Sequence, residues 1–448
     1  MTAPARTLRG LLTVAILAIV LTAIGRPAAQ SRPDLTTRTG VPTRPADLQG
    51  TALPPDVRLD DGLTQDEAVA IALWNSPEFA AQVASLGFAR ADLVEAGLLR
   101  NPVLTLLFPI GPKQLEATLK FPIEVLWERP RRVAAAKTAF DAAAASLEQQ
   151  GLTLVADVKI AFIDLALALD RAALAGQTAK ELAEIDALTQ ARLRAGDISE
   201  LEARTAAIDA ARARQDQLRA ELDVPIRVND LRGRLGLALD QRDVRLTPAV
   251  QSDACGPAAV LLNEALASRP DVRAAELRVE GAAKRLGWEN SRILALSAVL
   301  DANGNGSQGA ESGPGIEGSI PLFDRNQGGR TRATADLEVA SRQYVVARHR
   351  VATELRDAVA QSERARASVA GWRETVMRPL EEQVAAAERS YDDGEVSYLF
   401  VLEMTRRLTE GRIATREAEA DLARAVARIE RAVGRRCVAA GGERVRAF

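Results

Sequence analysis

The chain has 448 residues, and its 58 basic and 60 acidic side chains leave a net charge of −2, which gives no electrostatic reason to expect a nucleic-acid partner. Apolar residues at 47% and charged residues at 26% make a folding composition, and aromatics at only 4% favour long helices packed through small side chains. The one histidine is His349 and the two cysteines are Cys255 and Cys437, so a zinc site or a His-dependent triad is nearly excluded on inventory.

Residues 1–29 read as a secretory signal. Arg6 and Arg9 precede an apolar run from Leu11 to Ile24, followed by small residues at Gly25 and Ala29. The run of roughly fourteen residues is short for a membrane helix, although an uncleaved inner-membrane anchor is the other reading. No later segment is long and apolar enough to span a bilayer as a helix, so a mature chain in a membrane would have to span it with strands. Residues 30–61, with Pro42, Pro45, Pro54 and Pro55, read as an extended lead-in.

The rest of the chain is written twice. Gly196-Asp197-Ile198-Ser199-Glu200-Leu201 matches Gly394-Glu395-Val396-Ser397-Tyr398-Leu399, about 198 residues on. At the same spacing Leu231, Leu235 and Gly236 meet Ile429, Val433 and Gly434. Upstream, Ser76-Pro77-Glu78 meets Arg269-Pro270-Asp271, and Phe121-Pro122-Ile123 meets Ile320-Pro321-Leu322. The division predicted is a first repeat over 62–245, a second over 246–436 and a tail over 437–448.

Each repeat opens with a helix. The first runs from Leu63 to about Arg100, with Thr64 and Glu67 in capping-box spacing and a break or kink at Pro77. The second runs from about Pro257 to Arg292, with Pro270 at the equivalent place. A strand pair follows. The first repeat predicts Val103 to Phe108 and Leu115 to Ile123, joined by a turn at Pro109 to Pro112. The second predicts Leu294 to Asp301 and Gly315 to Phe323, joined by a Gly/Asn/Ser-rich loop. Leu115, Ala117, Leu119 and Phe121 alternate with Glu116, Thr118 and Lys120, and Ile316, Gly318, Ile320 and Leu322 alternate with Glu317 and Ser319. Such period-2 patterning gives one apolar and one polar sheet face.

Two long helices close each repeat, from about Arg132 to Ala195 and Ser199 to Gly236 in the first. Leu154, Val158, Ala161, Leu165, Ala168 and Ala172 follow a coiled-coil 4-3 spacing, and Leu337, Tyr344, Val351 and Ala358 recur every heptad. Two strands per repeat leave four per chain, too few to close a barrel or to bury a sheet on both sides. Helices could cover the apolar face, giving a soluble α+β protein, or several chains could pool their strands. The length of the helices favours pooling.

In this plan the chain resembles the TolC-like outer-membrane efflux factors, the channel components of tripartite efflux systems. The resemblance spans about residues 63–436. It rests on the order and spacing of Asn75-Ser76-Pro77-Glu78 and Ser268-Arg269-Pro270-Asp271, the strand ends at Pro122 and Pro321, the turns at Gly196 and Gly394, and the closing Gly236 and Gly434. It implies a mainly α fold with a membrane β-barrel. Three chains of four strands would form a twelve-stranded barrel in the outer membrane, above an α-helical coiled-coil tunnel through the periplasm. The partners implied are two further copies of the chain, a periplasmic adaptor (membrane fusion) protein, an inner-membrane pump of the resistance-nodulation-division type, and outer-membrane lipid, in a Gram-negative-type cell. No catalytic residue, cofactor or metal is implied, and an enzyme is disfavoured.

On that resemblance the tip that docks the adaptor comprises Arg194, Gly196, Asp197, Ser199 and Leu201 with Gly394, Ser397 and Leu399. The periplasmic gate falls to Phe400, Glu403, Tyr391, Asp392 and Asp393; Phe400 stands where the family pattern would place an acid, and Val396 where it can place a latch arginine. Turn chemistry, helix packing and solvated faces are the competing readings of these residues. Leu115, Leu119, Phe121, Ile316, Ile320 and Leu322 would face lipid. Export would permit a disulfide between Cys255 and Cys437, with two free thiols as the other reading. Phe448 matches the terminal aromatic of barrel assembly signals, in a basic context that is not strand-like. A soluble periplasmic coiled-coil scaffold or adaptor, and a channel for protein secretion, are the alternative functions.

Overall fold

The computed structural model describes residues 51–55, 57–59, 61–110, 115–240, 244–247, 255–304 and 310–437. The expected signal segment, most of the lead-in, the centre of the second strand loop, part of the Pro109–Pro112 turn, and Phe448 with most of its tail lie outside these residues. Among the described residues the chain runs α1 (Gln65–Asn75), α2 (Pro77–Gly97), β1 (Val103–Leu107), β2 (Leu115–Pro122), α3 (Val125–Ala195) and α4 (Glu200–Leu235). It continues as α5 (Ala258–Ser268), α6 (Pro270–Ser291), β3 (Leu296–Gly304), β4 (Ala310–Gly318), α7 (Gln327–Ala370), a π-helical turn (Gly371–Met377), α8 (Arg378–Asp392) and α9 (Tyr398–Val433). The fold is mainly helical with one small antiparallel sheet. No described helix is long and apolar enough to cross a membrane.

The predicted break at Pro77 separates α1 from α2, and Pro270 separates α5 from α6. Thr64 and Glu67 make the reciprocal capping box at the start of α1. Helix α3 begins at Val125, earlier than the sequence predicts, because Pro130 lies in its second turn and removes only one backbone bond there. In the second half the long helix is interrupted by the π-helical turn, which the sequence reading did not foresee. Pro379 follows it closely, and the Arg378 N–H reaches back five residues to the Arg373 carbonyl.

The strands order β1-β2-β3-β4, all antiparallel. The register fixes the faces. Leu119 lies opposite Leu104 and Leu300, Phe121 opposite Ala298, and Ala298 opposite Ile316. One face therefore carries Leu104, Leu106, Leu115, Leu119, Phe121, Leu300 and Ile316. The other carries Glu116, Thr118, Lys120, Asp301, Asn303, Glu311 and Glu317. Thr118 donates to Asp301 at 2.7 Å, and Lys120 pairs with Glu317 at 2.6 Å across the polar face. No described helix covers the apolar face: Leu104 is 61% and Ile316 76% exposed.

Ile320 and Leu322 require a correction. The second hairpin is shifted from its expected position, and both residues lie beyond β4. Ser319 makes the last ladder bond, to the Ala295 carbonyl, Pro321 has no N–H to donate, and the Leu322 N–H turns back onto the Ile320 carbonyl. The run from Glu311 to Pro314, expected as loop, is edge strand instead, each residue paired with β3.

The core lies where the helices turn. Leu63, Ile71, Trp74, Phe162, Leu231 and Leu235 form one cluster, and Leu261, Val272, Val351, Leu355, Ile429 and Val433 another. Cys437 joins the second cluster and is bonded to Cys255, closing a separation of 182 residues. The glycines and prolines that match in sequence also meet in space. Gly236, left-handed at φ 71°, packs so closely on the α1–α2 break that an added Cβ would lie 2.1 Å from the Asn75 carbonyl oxygen. Gly434, at φ 84°, sits against Arg269 and Pro270 at the α5–α6 break, where an added Cβ would lie 3.5 Å from the Arg269 Cγ, in ordinary contact. Both glycines end helices that only a left-handed residue can turn.

Gly434→Ala should cost about 1–2 kcal/mol of stability from the left-handed strain alone. Gly236→Ala should cost roughly 3 kcal/mol or more, because the α1–α2 break must also move. Thermal melts of the solubilised variants read the difference; equal losses would contradict the packing described.

Candidate functional site: the helical tip and the seam behind it

At the end remote from the sheet, α3 ends and α4 begins through Gly196 at φ 83°. The N–H groups of Gly196 and Asp197 donate to the Leu193 and Arg192 carbonyls, and Ser199 with Glu202 makes a capping box on α4. The second tip repeats the exit geometry at Gly394, φ 78°, where the Gly394 and Glu395 N–H groups donate to Tyr391 and Ser390. Ser397 precedes α9 without a side-chain cap bond. A Cβ on either tip glycine would meet nothing within 4 Å. These glycines answer to backbone conformation alone, unlike Gly236.

The tips differ in what they present. Arg194, Asp197, Ser199 and Leu201 are exposed on the first, Leu201 by 75%. On the second, Asp392 and Asp393 are exposed, Tyr391 and Tyr398 stack at a tilt with ring centroids 5.5 Å apart, and Phe400 is 46% exposed. Leu399 and Glu403 face the first hairpin across a groove of about 840 Å³, which Ile185, Arg192, Asp197 and Arg406 also line. Phe400, Arg194 and Leu201 do not line it. Glu403 is held by its own helix: Arg406 donates to it at 2.7 and 2.9 Å and Arg407 at 3.2 Å. The Arg406 guanidinium draws the Glu403 carboxyl below its usual range, and Arg406 also binds Glu410.

Behind the tip, α3 and α9 run antiparallel and are joined by charges that the sequence reading missed. Lys159 meets Glu430 at 2.5 Å, Asp164 meets Arg424 at 2.6 Å, and Arg171 meets Glu417 at 2.6 Å. Between them Ile163 and Leu167 pack on Ala420. The final contact has no ion pair: the buried Thr409 hydroxyl lies 3.3 and 3.4 Å from the two Glu181 oxygens, and Gln177 donates to Glu181 at 2.9 Å. Burial pushes the Glu181 carboxyl up, against the opposing pull of Gln177, Thr409 and Arg412. No single-residue signal marks this seam. It could have been found only by aligning α3 against α9 in reverse and matching charge signs. At the other end of α9 the buried Arg269 binds Asp271 bidentately at 2.7 and 2.8 Å, Glu354 at 2.8 Å and the Ala432 carbonyl at 3.2 Å. It ties the α5–α6 break to both α7 and α9.

A carboxyl with a raised folded pKa favours the folded state at low pH and loses that contribution as pH rises above its ordinary 4.5. Glu181→Gln should therefore melt at or above the parent temperature at pH 7.5, with the advantage gone by about pH 4. Lys159→Met, which leaves the nearly buried Glu430 without its ammonium partner, should cost about 3–5 kcal/mol. Equal losses in both variants at pH 7.5 would refute the seam as described.

Residues 69–237 and 261–435 match the family described as outer membrane efflux protein. The chain is 26% identical over 389 residues to the cobalt-zinc-cadmium resistance protein CzcC of Cupriavidus metallidurans, covering 83% of this chain and 90% of that one. Its fold is similar to that of a membrane protein from Pseudomonas aeruginosa, with TM-score 0.69, 20% identity and 92% and 96% of the two chains covered. It is likewise similar to the outer membrane protein VceC from Vibrio cholerae, with TM-score 0.67, 20% identity and 83% and 96% covered. The two matched segments together take in most of the chain, which belongs to the outer membrane efflux protein family, a family of channels and not of enzymes.

Proposed function

We propose that three copies of this chain form the outer-membrane exit duct of a tripartite efflux pump. The observation that carries the proposal is the sheet of the described residues: four strands, two open edges, and one apolar face that no described helix covers. Pooling three such sheets closes a twelve-stranded barrel with the apolar face to lipid and the polar face to water. The helices continue beneath it as a periplasmic tunnel. The chain divides into a signal over 1–29, a lead-in over 30–61, two copies of one unit over 62–245 and 246–436, and a tail over 437–448. The matching order of elements and the paired contacts of Gly236 and Gly434 support the two copies.

Conduction is passive. An inner-membrane pump of the resistance-nodulation-division type supplies the energy, and a periplasmic adaptor joins it to the duct. Arg194, Gly196, Asp197, Ser199 and Leu201 with Gly394, Ser397 and Leu399 form the docking tip. Phe400, Tyr391, Asp392, Asp393 and Glu403 form the gate, with Glu403 acting through its arginine pairs rather than as a free acid. The pump selects the cargo. A soluble scaffold would leave the apolar face of the sheet in water, which argues against that reading.

Purified full-length protein added to a planar bilayer should open discrete, ohmic conductance steps. Phe400→Ala should raise the single-channel conductance or its open time. Absence of discrete steps from the parent protein would count against the duct, and an unchanged Phe400→Ala trace would remove that residue from the gate.

A further inference from the structure

The chain leaves β4 through a loop built with unusual care. Asn326 closes it in the left-handed conformation, φ 55°, where a non-glycine residue is strained. Its amide donates to the carbonyl and the carboxylate of the buried Glu289 at 2.8 and 2.7 Å. The Asp324 carboxylate accepts the Asn326 N–H at 2.8 Å, the Gln327 side chain donates to the Phe323 carbonyl at 2.9 Å, and Arg325 donates to the Pro321 carbonyl at 3.2 Å. What this scaffold holds outward is apolar. Ile320 is 79% exposed, Leu322 66% and Phe323 91%.

Backbone bonds fix where the loop sits. Ser319 donates to Ala295, and Ile123 and Glu124 donate to Leu296, so the loop and the start of α3 share one end of the sheet. Leu126, in the first turn of α3, is 75% exposed there. The charges at this end are largely sorted. Glu124, Glu128 and Glu289 are buried, with Arg100 and Arg292 beside them, whereas Arg131, Arg325, Arg330 and Arg332 are exposed; the exposed Asp324 of the loop is turned back onto the Asn326 N–H.

We infer that the Ile320–Phe323 loop, with Leu126 and these four exposed arginines, is a docking collar for the headgroup layer of anionic phospholipid. The inference rests on the barrel reading above. The collar continues the lipid-facing sheet face at its helical end. Apolar side chains there enter the acyl boundary while guanidinium groups reach the phosphates. Ile320 and Leu322 thus meet lipid as an interfacial wedge rather than as strand residues.

The test is native mass spectrometry of the purified full-length protein, delipidated and then given equimolar phosphatidylglycerol and phosphatidylcholine. A spectrum recorded before lipid is added reports the trimer; its absence sinks the barrel reading and this inference with it. In the trimer, phosphatidylglycerol adducts should exceed phosphatidylcholine adducts by about fivefold at low salt and fall toward parity in 0.5 M salt, as expected for about one effective charge contact. The variant Arg131→Gln/Arg325→Gln/Arg330→Gln/Arg332→Gln should keep the trimer mass and lose the preference. Phe323→Asn should lower retention of both lipids and leave the preference intact. Equal retention by the parent trimer, or a preference that survives the four substitutions, overturns the collar alone. Loss of the trimer in the four-arginine variant also overturns it, because the surface would then be a contact between copies.

Discussion

Four strands paired side by side leave two rows of backbone N–H and C=O groups without partners in the sheet, and among the described residues they also leave an apolar face without a cover. Water tolerates the unpaired edges but not the apolar face; lipid tolerates the face but not the edges. In the barrel we propose, closure of the sheet satisfies both. Closure needs more strands than the described residues hold, and the proposed number of copies, position of the bilayer and route of cargo all depend on it. The polar face fits the same logic, since Thr118 with Asp301 and Lys120 with Glu317 are pairs suited to a wall that meets water.

The helical part solves a different problem, that of keeping very long rods in register. Helix α3 alone has 71 residues. Its apolar seam is rich in alanine, which packs closely but specifies register weakly. The charged contacts between α3 and α9 supply the register, and the two glycine turns at Gly236 and Gly434 fix where the helices meet the breaks at Pro77 and Pro270. The Cys255–Cys437 bond and the Arg269 contacts close the second half at the same level. Toward the tip these restraints thin out, from a mostly buried ion pair at Lys159 to the hydrogen-bond contact of Thr409 with Glu181.

Much of the fold was legible because its signals are local or repeated. The Pro77 and Pro270 breaks, the Thr64 capping box, the glycine turns and the alternation around Leu119 each announce themselves within a few residues. The hairpin of the second half was misplaced because apolar alternation continues through Ile320 and Leu322 after the ladder has ended. A run of glycine, serine and proline before it looks like loop and yet pairs as an edge strand. The seam between α3 and α9, the buried Arg269 and the clamp of Asn326 on Glu289 were not legible. Each joins residues far apart in sequence, and each side chain read alone is an ordinary polar residue on a helix or in a turn. At the tip the turns were read directly from glycine and serine, whereas the capture of Glu403 by Arg406 and Arg407 needed the rotamers that only a structure supplies.

The most direct test of closure by shared strands is the mass of the detergent-solubilised particle, with bound detergent subtracted. Light scattering coupled to gel filtration should give three times the mass of the mature chain at every concentration above the detergent threshold. A stable monomer, or a chain that stays in solution without detergent, would contradict the account at its base.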